Sequence, residues 1–223
     1  MSGPVKQIEN LGSYTPFHQN FFNSANGFNA IAAGDALIAV ICCQFEAPEG
    51  LAVTSVTDSS KNQWTQVPGI AIGADTGCFL DVWVALDVSA VAPSEGLDVA
   101  VTTNEPAGSA TSRQFNVALL DVQGLSGGTP SINTFTGLLT YPFTVFVNAT
   151  SPSLAICAFA NSGDVMVTTE SPWSMVGLSG DGSLNGENIA YTVGTGTLQP
   201  TFNTEFGGDV DIALAIIAFP LRA

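Results

Sequence analysis

One strand pattern occurs twice along the chain, and this duplication constrains the fold more tightly than any other feature. Residues 37–42 (LIAVIC) match 154–159 (LAICAF), and Trp64-Thr65-Gln66-Val67 matches Trp173-Ser174-Met175-Val176. Residues 82–85 are answered by 190–193, 97–103 by 198–204, and 116–120 by 211–215, in the same order. A repeat on this scale predicts two similar β units packed as one body, because neither unit covers its apolar face alone. The offset between matching elements shrinks toward the carboxyl end, so the first half has the longer loops. A specific partner is expected to be read by those loops or by the unduplicated amino-terminal segment.

Within the halves the periodicity is that of strands. Leu97, Val99 and Val101 alternate with Asp98, Ala100 and Thr102, a half-buried strand with one solvated face. Around Phe115–Leu120 and Ile212–Ile217 both alternating sets are apolar apart from Asn116, which predicts central strands covered on both faces. Strands are expected near 36–45, 51–57, 63–67, 79–88, 96–103 and 113–123 in the first half. In the second half they are expected near 153–160, 164–169, 172–176, 188–194, 198–204 and 210–219. Gly and Pro clusters punctuate them, and Gly194-Thr195-Gly196 reads as a hairpin turn. The expected fold is all-β: a two-sheet antiparallel β-sandwich of jelly-roll type built from two similar halves, with an extended N-terminal arm. The arm takes residues 1–28. A single sandwich domain takes 29–223, with a first half at 29–123, a linker at 124–142 and a second half at 143–223. A core shared between the halves is preferred to two separate beads, because a two-sheet sandwich buries both inner faces at once.

The arm carries Tyr14, Phe17, Phe21, Phe22 and Phe28 among Ser, Asn, Gln and Pro, with neither alternation nor a helical stripe. Two readings fit this mixture: a segment clamped on a neighbouring surface by aromatic anchors, or a strand covering its own sandwich. In the first, Phe17, Phe21 and Phe22 are the interface residues.

Charge removes several classes of function. Four Lys and Arg residues stand against 19 Asp and Glu, a formal net charge of -15. Nucleic-acid binding needs several cationic contacts, and anionic membrane surfaces repel such a chain, so neither partner is expected. Only 10% of residues are charged while 46% are hydrophobic, so Gly, Ser, Thr and Asn supply most of the polar surface. Residues 1–10 contain no apolar stretch of signal-peptide type, so no secretory signal is expected. Cys42, Cys43, Cys78 and Cys157 lie in or beside apolar runs and read as buried thiols. A bridge from Cys42 or Cys43 to Cys157 is the alternative.

Catalytic signatures are sparse. His18 is the lone histidine, so neither a Ser-His-Asp triad nor a zinc site is expected, and no phosphate loop occurs. No metal and no cofactor are expected. Asp181, Asn185, Glu187 and Asn188 gather oxygen ligands within a short segment, but without EF-hand spacing, and turn chemistry explains them more simply. Trp64 and Trp173 read as core residues. Trp83 falls on the opposite face of its strand from Val82 and Val84, with Asp81, which makes it the candidate ligand-binding aromatic.

At Asp58-Ser59-Ser60-Lys61-Asn62 the side chain of Asp58 is placed to accept a backbone N–H two residues on, and Asn62 tolerates a left-handed conformation. The run Val53-Thr54-Ser55-Val56-Thr57-Asp58-Ser59-Ser60-Lys61-Asn62-Gln63-Trp64-Thr65 resembles the TSVTDSxGNxW signature of a β-sandwich module of bacteriophage virion proteins and some bacterial surface proteins. Gly34-Asp35-Ala36-Leu37, Val82-Trp83-Val84-Ala85, residues 119–124 and Ser171-Pro172-Trp173 fit the same pattern, so the resemblance spans about residues 27–219. Lys61 departs from it, standing where the pattern prefers Gly. The resemblance implies a non-enzymatic virion structural protein, foremost an accessory capsid decoration or cement protein on the capsid exterior, made in the host cytoplasm and carried in the virion. It implies a homo-oligomer, with a trimer as the first expectation, bound to the major capsid protein or another virion protein. The alternative is a cell-surface or tail adhesin, a carbohydrate-binding module. The pattern holds no catalytic residues, so none is carried over.

Overall fold

The computed structural model describes residues 3–14, 20–23, 30–44, 50–73, 78–92, 95–104, 114–140, 142–161, 167–177, 187–204 and 209–222. These residues form strands β1 (Val5–Tyr14), β2 (Asn20–Asn23), β3 (Ala36–Gln44), β4 (Val53–Asp58), β5 (Trp64–Gln66), β6 (Phe79–Ala85), β7 (Asp98–Thr103) and β8 (Gln114–Val122). They continue with β9 (Ser131–Thr140), β10 (Phe143–Thr144), β11 (Val147–Asn161), β12 (Val167–Thr169), β13 (Ser174–Gly177), β14 (Glu187–Leu198), β15 (Thr201–Thr204) and β16 (Asp209–Pro220). Every strand pair is antiparallel, and no helix occurs among the described residues.

The apolar runs fold into the middle of the molecule, where both of their faces find partners. On β3, Ile38, Val40 and Cys42 join Leu80 and Val82 of β6 and Ala118 and Leu120 of β8. This face packs on Leu154, Ile156 and Ala158 of β11 and on Ala213, Ala215 and Ile217 of β16. The alternate residues of β3, Leu37, Ala39, Ile41 and Cys43, turn the other way, onto Val53 and Val56 of β4 and Val99 and Val101 of β7. Likewise Ala155, Cys157 and Phe159 of β11 turn away from the shared core, onto Phe143, Trp173 and Phe202. Each fully buried Leu, Ile or Phe contributes about 2 kcal/mol of transfer free energy.

Three cores separate four sheets. The order β1-β8-β3-β6-β5 faces β2-β7-β4, and β9-β16-β11-β14-β13 faces β10-β15-β12. Adding eight to each strand number of the first pair reproduces the second. The layers therefore hold three, five, five and three strands, and the sandwich is deeper than the two sheets expected. Double coverage of the five-stranded sheets is the reason β3, β8, β11 and β16 lack polar alternation.

All twelve expected strands are present. The remaining four, β1, β2, β9 and β10, open the two halves, and they revise the expected organisation. Residues 1–28 are not simply an arm: β1 pairs with β8 and β2 with β7 in sheets of the same chain. Residues 124–142 are not simply a linker, because β9 pairs with β16 along its whole length. The edge position hid both. β1 has register shifts at Val5/Gln7 and Asn10/Ser13, which break any period of two, and β9 is largely exposed. The expected turn at Gly194-Thr195-Gly196 lies instead within β14, opposite the irregular stretch of β11 between Ala149 and Ser153.

The four cysteines are buried, and none is in a disulfide. Cys42 faces the shared core, Cys43 the first outer core and Cys157 the second, so neither candidate bridge faces its partner. Burial pushes the Cys157 thiol far above its ordinary range.

Candidate functional site

The turn from Asp58 to Trp64 is a hydrogen-bonded hub. Asp58 ends β4, and its Oδ2 accepts from the Trp64 indole Nε1 at 2.7 Å and from Asn62 Nδ2 at 3.0 Å. Its Oδ1 accepts from the Asn62 backbone N–H at 3.2 Å, four residues on rather than two. The left-handed residue is Lys61, with φ 59°, and not Asn62. A side chain adopts that conformation only at a cost in backbone strain. Asn62 Oδ1 in turn accepts from Ser89 N at 2.9 Å, while Ser59 N donates to Asp98 O at 2.9 Å. One turn thereby ties β4, β5, β7 and the loop after β6 together, and its carboxylate is already engaged by neighbours. Asp58→Ala is expected to destabilise the fold by about 2 kcal/mol, since it strips the acceptor from three donors that are only partly screened from water. Urea unfolding measures this. A loss no larger than that of Thr57→Ala, a neighbouring exposed position on β4, would count against the hub.

Trp83 does not form a ligand platform. Its ring is buried in the first outer core, and its Nε1 donates to Asp81 Oδ2 at 2.9 Å. Alternation placed it on the face opposite Val82 correctly, but the sheet β2-β7-β4 covers that face. Asp81 shares the burial and is fully engaged, accepting also from Val82 N at 2.8 Å and Gln66 Nε2 at 2.9 Å. Desolvation raises its carboxyl above the usual range, against the pull of these hydrogen bonds. Trp64 packs half-buried on the same core, and Trp173 is buried in the second outer core. Phe17 and His18 lie outside the described residues. Phe21 and Phe22 sit in β2, paired with Ala100 and Val99 of β7. Of the four oxygen-rich residues near 181–188, Asp181 and Asn185 lie outside the described residues, and Asn188 is buried in β14 opposite Phe159. Among the described residues no group of three or more His, Cys, Asp or Glu is placed to hold a metal ion.

A second cluster gathers where β1 crosses β8 and the entry to β3. Lys6 Nζ lies 2.6 Å from Asp35 Oδ2, which also accepts from Ala32 N at 3.3 Å. Gln7 Nε2 donates to Asp121 Oδ2 at 3.0 Å, whereas buried Asp121 Oδ1 has no hydrogen-bond partner among the described residues. Burial pushes the Asp121 carboxyl up to about 6; the Gln7 bond and Lys6 oppose the rise, and the adjacent Asp35 carboxylate adds to it. Lys6 and Gln7 stitch the first strand onto its own sheet, so the cluster reads as a fastening rather than an acid–base pair open to substrate.

Among the described residues, a groove of about 470 Å³ lies between the edge of β5–β6 and the segment leading into β9. Gln63, Thr65, Gln66, Val84, Leu86 and Phe219 line it together with residues 126–130. A smaller groove of about 290 Å³ occupies the matching place, between β13–β14 and residues 3–5 leading into β1. The duplication thus makes each groove from one half's short edge strand and the other half's entry segment. The two differ in chemistry: Leu86 is exposed beside the larger one, where Tyr191 and Val193 stand in the smaller. Among the described residues no side chain lining the larger groove is ionisable, so these residues offer amides, hydroxyls and apolar surface to a neutral ligand.

No protein-family model matches the chain, and no curated protein matches it.

Proposed function

We propose that the chain is a non-enzymatic bacteriophage virion structural protein, an accessory decoration protein on the capsid exterior. The observation that carries this reading is the strand order. In each half β1-β8-β3-β6-β5 lies over β2-β7-β4, or its counterpart with eight added, an order that supports the jelly-roll reading. Jelly rolls serve in capsid and lectin domains, and on that reading two of them joined through a hydrophobic core make a stiff block suited to a structural part. The turn from Asp58 to Trp64 adds the resemblance to the phage module. Its acidic charge suits a protein that must stay dispersed before assembly. The partner in this reading is the major capsid protein or another virion protein, and the protein resides in the virion.

Mass spectrometry and cryo-microscopy of the purified source particle test the proposal. The chain is expected at many copies per particle on the capsid surface. Its absence from washed particles would refute the role.

The neutral groove at Gln63–Val67 favours a second reading, a tail or cell-surface adhesin that binds a glycan through amides and apolar contacts. A glycan-array signal lost in Leu86→Arg, with an unchanged melting temperature, would decide for it.

A further inference from the structure

We propose that Lys6 and Asp35 condense within the folded chain to an isopeptide bond, with Asp121 as the acid that moves the protons. Three elements converge on this point. β8 lies between β1 and β3, so Lys6 on β1 and Asp35 at the entry to β3 approach each other across the end of β8 that carries Asp121. The register shift between Val5 and Gln7 leaves Lys6 as the extra residue of a bulge. A bulge re-aims a side chain, and this one lets two consecutive residues serve the same cluster. Gln7 Nε2 bonds Asp121 Oδ2 at 3.0 Å, and Lys6 Nζ reaches Asp35 Oδ2 at 2.6 Å.

Amide formation from an amine and a carboxyl requires contact, exclusion of water and a proton carrier, and the cluster supplies each. With Nζ 2.6 Å from Oδ2 and a C–O bond of about 1.2 Å, Asp35 Cγ is no farther than about 3.8 Å from the nitrogen, close to the near-attack range of about 3–3.5 Å. The Asp35 side chain is 4% exposed and Asp121 is buried, and burial favours the neutral amine and acid that react over the ammonium and carboxylate that do not. Asp121 Oδ1 is buried without a donor, and the Asp35 carboxyl lies within hydrogen-bonding reach of Asp121. Two carboxyl groups bond each other only when one of them carries a proton. Burial pushes the Asp121 carboxyl up to about 6, so Asp121 is the carrier.

The step releases one water and consumes no other reactant. Lys6 passes a proton to the Asp35 carboxylate, which leaves an amine beside an acid. The Nζ lone pair forms the new bond to Cγ, while Asp121 gives its proton to the carbonyl oxygen and takes one back from the nitrogen. Asp121 then protonates one hydroxyl of the tetrahedral centre, whose C–O bond breaks to free water, and recovers the proton of the other as the carbonyl re-forms. It ends protonated, as it began. The Lys6 side chain, 32% exposed, borders solvent and gives the water a way out.

The duplication shows that the fold does not require this group. Leu37 pairs with Asp121, whereas its counterpart Leu154 pairs with Phe219, and Pro152 stands where Asp35 does. Two carboxyl groups around one amine make a poor ionic fastening, because the second carboxylate repels the first. Condensation removes the ammonium and one carboxylate together. Its product ties the edge strand β1 to the entry of β3 across β8, whether the protein serves in a virion or as an adhesin.

Mass spectrometry of the purified, folded full chain tests the proposal. Proteolysis after Glu9 and Glu46 is expected to release residues 1–9 joined to residues 10–46, lighter than the two peptides together by one water. Lys6→Arg, which keeps the ion pair, should give the separate peptides. Asp121→Asn keeps the shape of the side chain without its transferable proton and should slow the joining on the order of a hundredfold or more. Asp35→Asn should still join, with ammonia leaving in place of water, which a purely ionic fastening does not do. Lys6→Arg chains hold the pair uncondensed and are the background in which stability and titration at Asp121 are compared. Separate peptides from the parent, a water lost without a link between the peptides, a link that persists in Lys6→Arg, or one that forms equally fast in Asp121→Asn would each overturn the assignment.

Discussion

Gly73→Ala is expected to lower stability by about 3 kcal/mol, or roughly 10 °C in melting temperature for a chain of this size. Gly73 follows the bridge between Ile72 and Leu80 and has φ 93°, a conformation that side chains resist. A Cβ built there lies 2.4 Å from the Cβ of Ala213 and 2.6 Å from the carbonyl oxygen of Cys78. Ala213 belongs to β16, so the first half packs closely on the second here, and Cys78 Sγ reaches the carbonyl of Asp211 on the same strand at 3.6 Å. Neither contact is the end of a flexible side chain, so the halves must separate locally or the loop must leave its bridge. Gly69→Ala is the control: φ there is 79°, yet a Cβ meets nothing within 4 Å, so only the backbone strain of about 1 kcal/mol remains. Calorimetry on both variants isolates the contact. Equal losses would mean that the halves do not approach at Gly73 as described.

Asp121→Asn is expected to stabilise the protein by up to about 3 kcal/mol at pH 7.5 and to leave it unchanged near pH 4. The folded carboxyl holds its proton up to about pH 6, whereas the unfolded one releases it near 3.8. Between those values the folded state binds more protons, so stability falls as pH rises through the window and is level above it. Ionisation forces a charge that Gln7 and Lys6 only partly offset beside Asp35 in a buried position. The amide removes that charge while keeping an oxygen for Gln7 Nε2. Asp81, raised by burial, slopes in the same direction and persists in the variant, so the informative quantity is the difference between variant and parent. Urea midpoints from pH 4 to pH 8 supply it. Parallel profiles would show that Asp121 is not the responsible group.

Sequence patterning found the strands that lie inside and missed those at the borders, for a reason visible in particular residues. Leu37–Cys43 and Ile212–Ala218 are apolar on both faces because two different cores cover them, and such runs cannot be read as anything but buried. β1 escaped because its bulges interrupt alternation, and β9 because solvent meets most of its side chains and leaves little pattern to read. Trp83 shows the complementary limit. Period-two reasoning assigned its face, but which sheet covers that face depends on β7, whose pairing with β4 brings together residues far apart in the chain. The grooves were illegible for the same cause, since each joins an edge strand of one half to the entry segment of the other.

What the sequence by itself determined is the all-β class, twelve strands in their places, the buried thiols and the duplication, because local alternation and turn chemistry are written residue by residue. Tertiary structure decided the number of layers, the membership of β1 and β9 in the sheets, the burial of Trp83 and the neighbours of Asp121. Those depend on which strand lies beside which, and strand pairing is a contact between distant residues that no local period encodes.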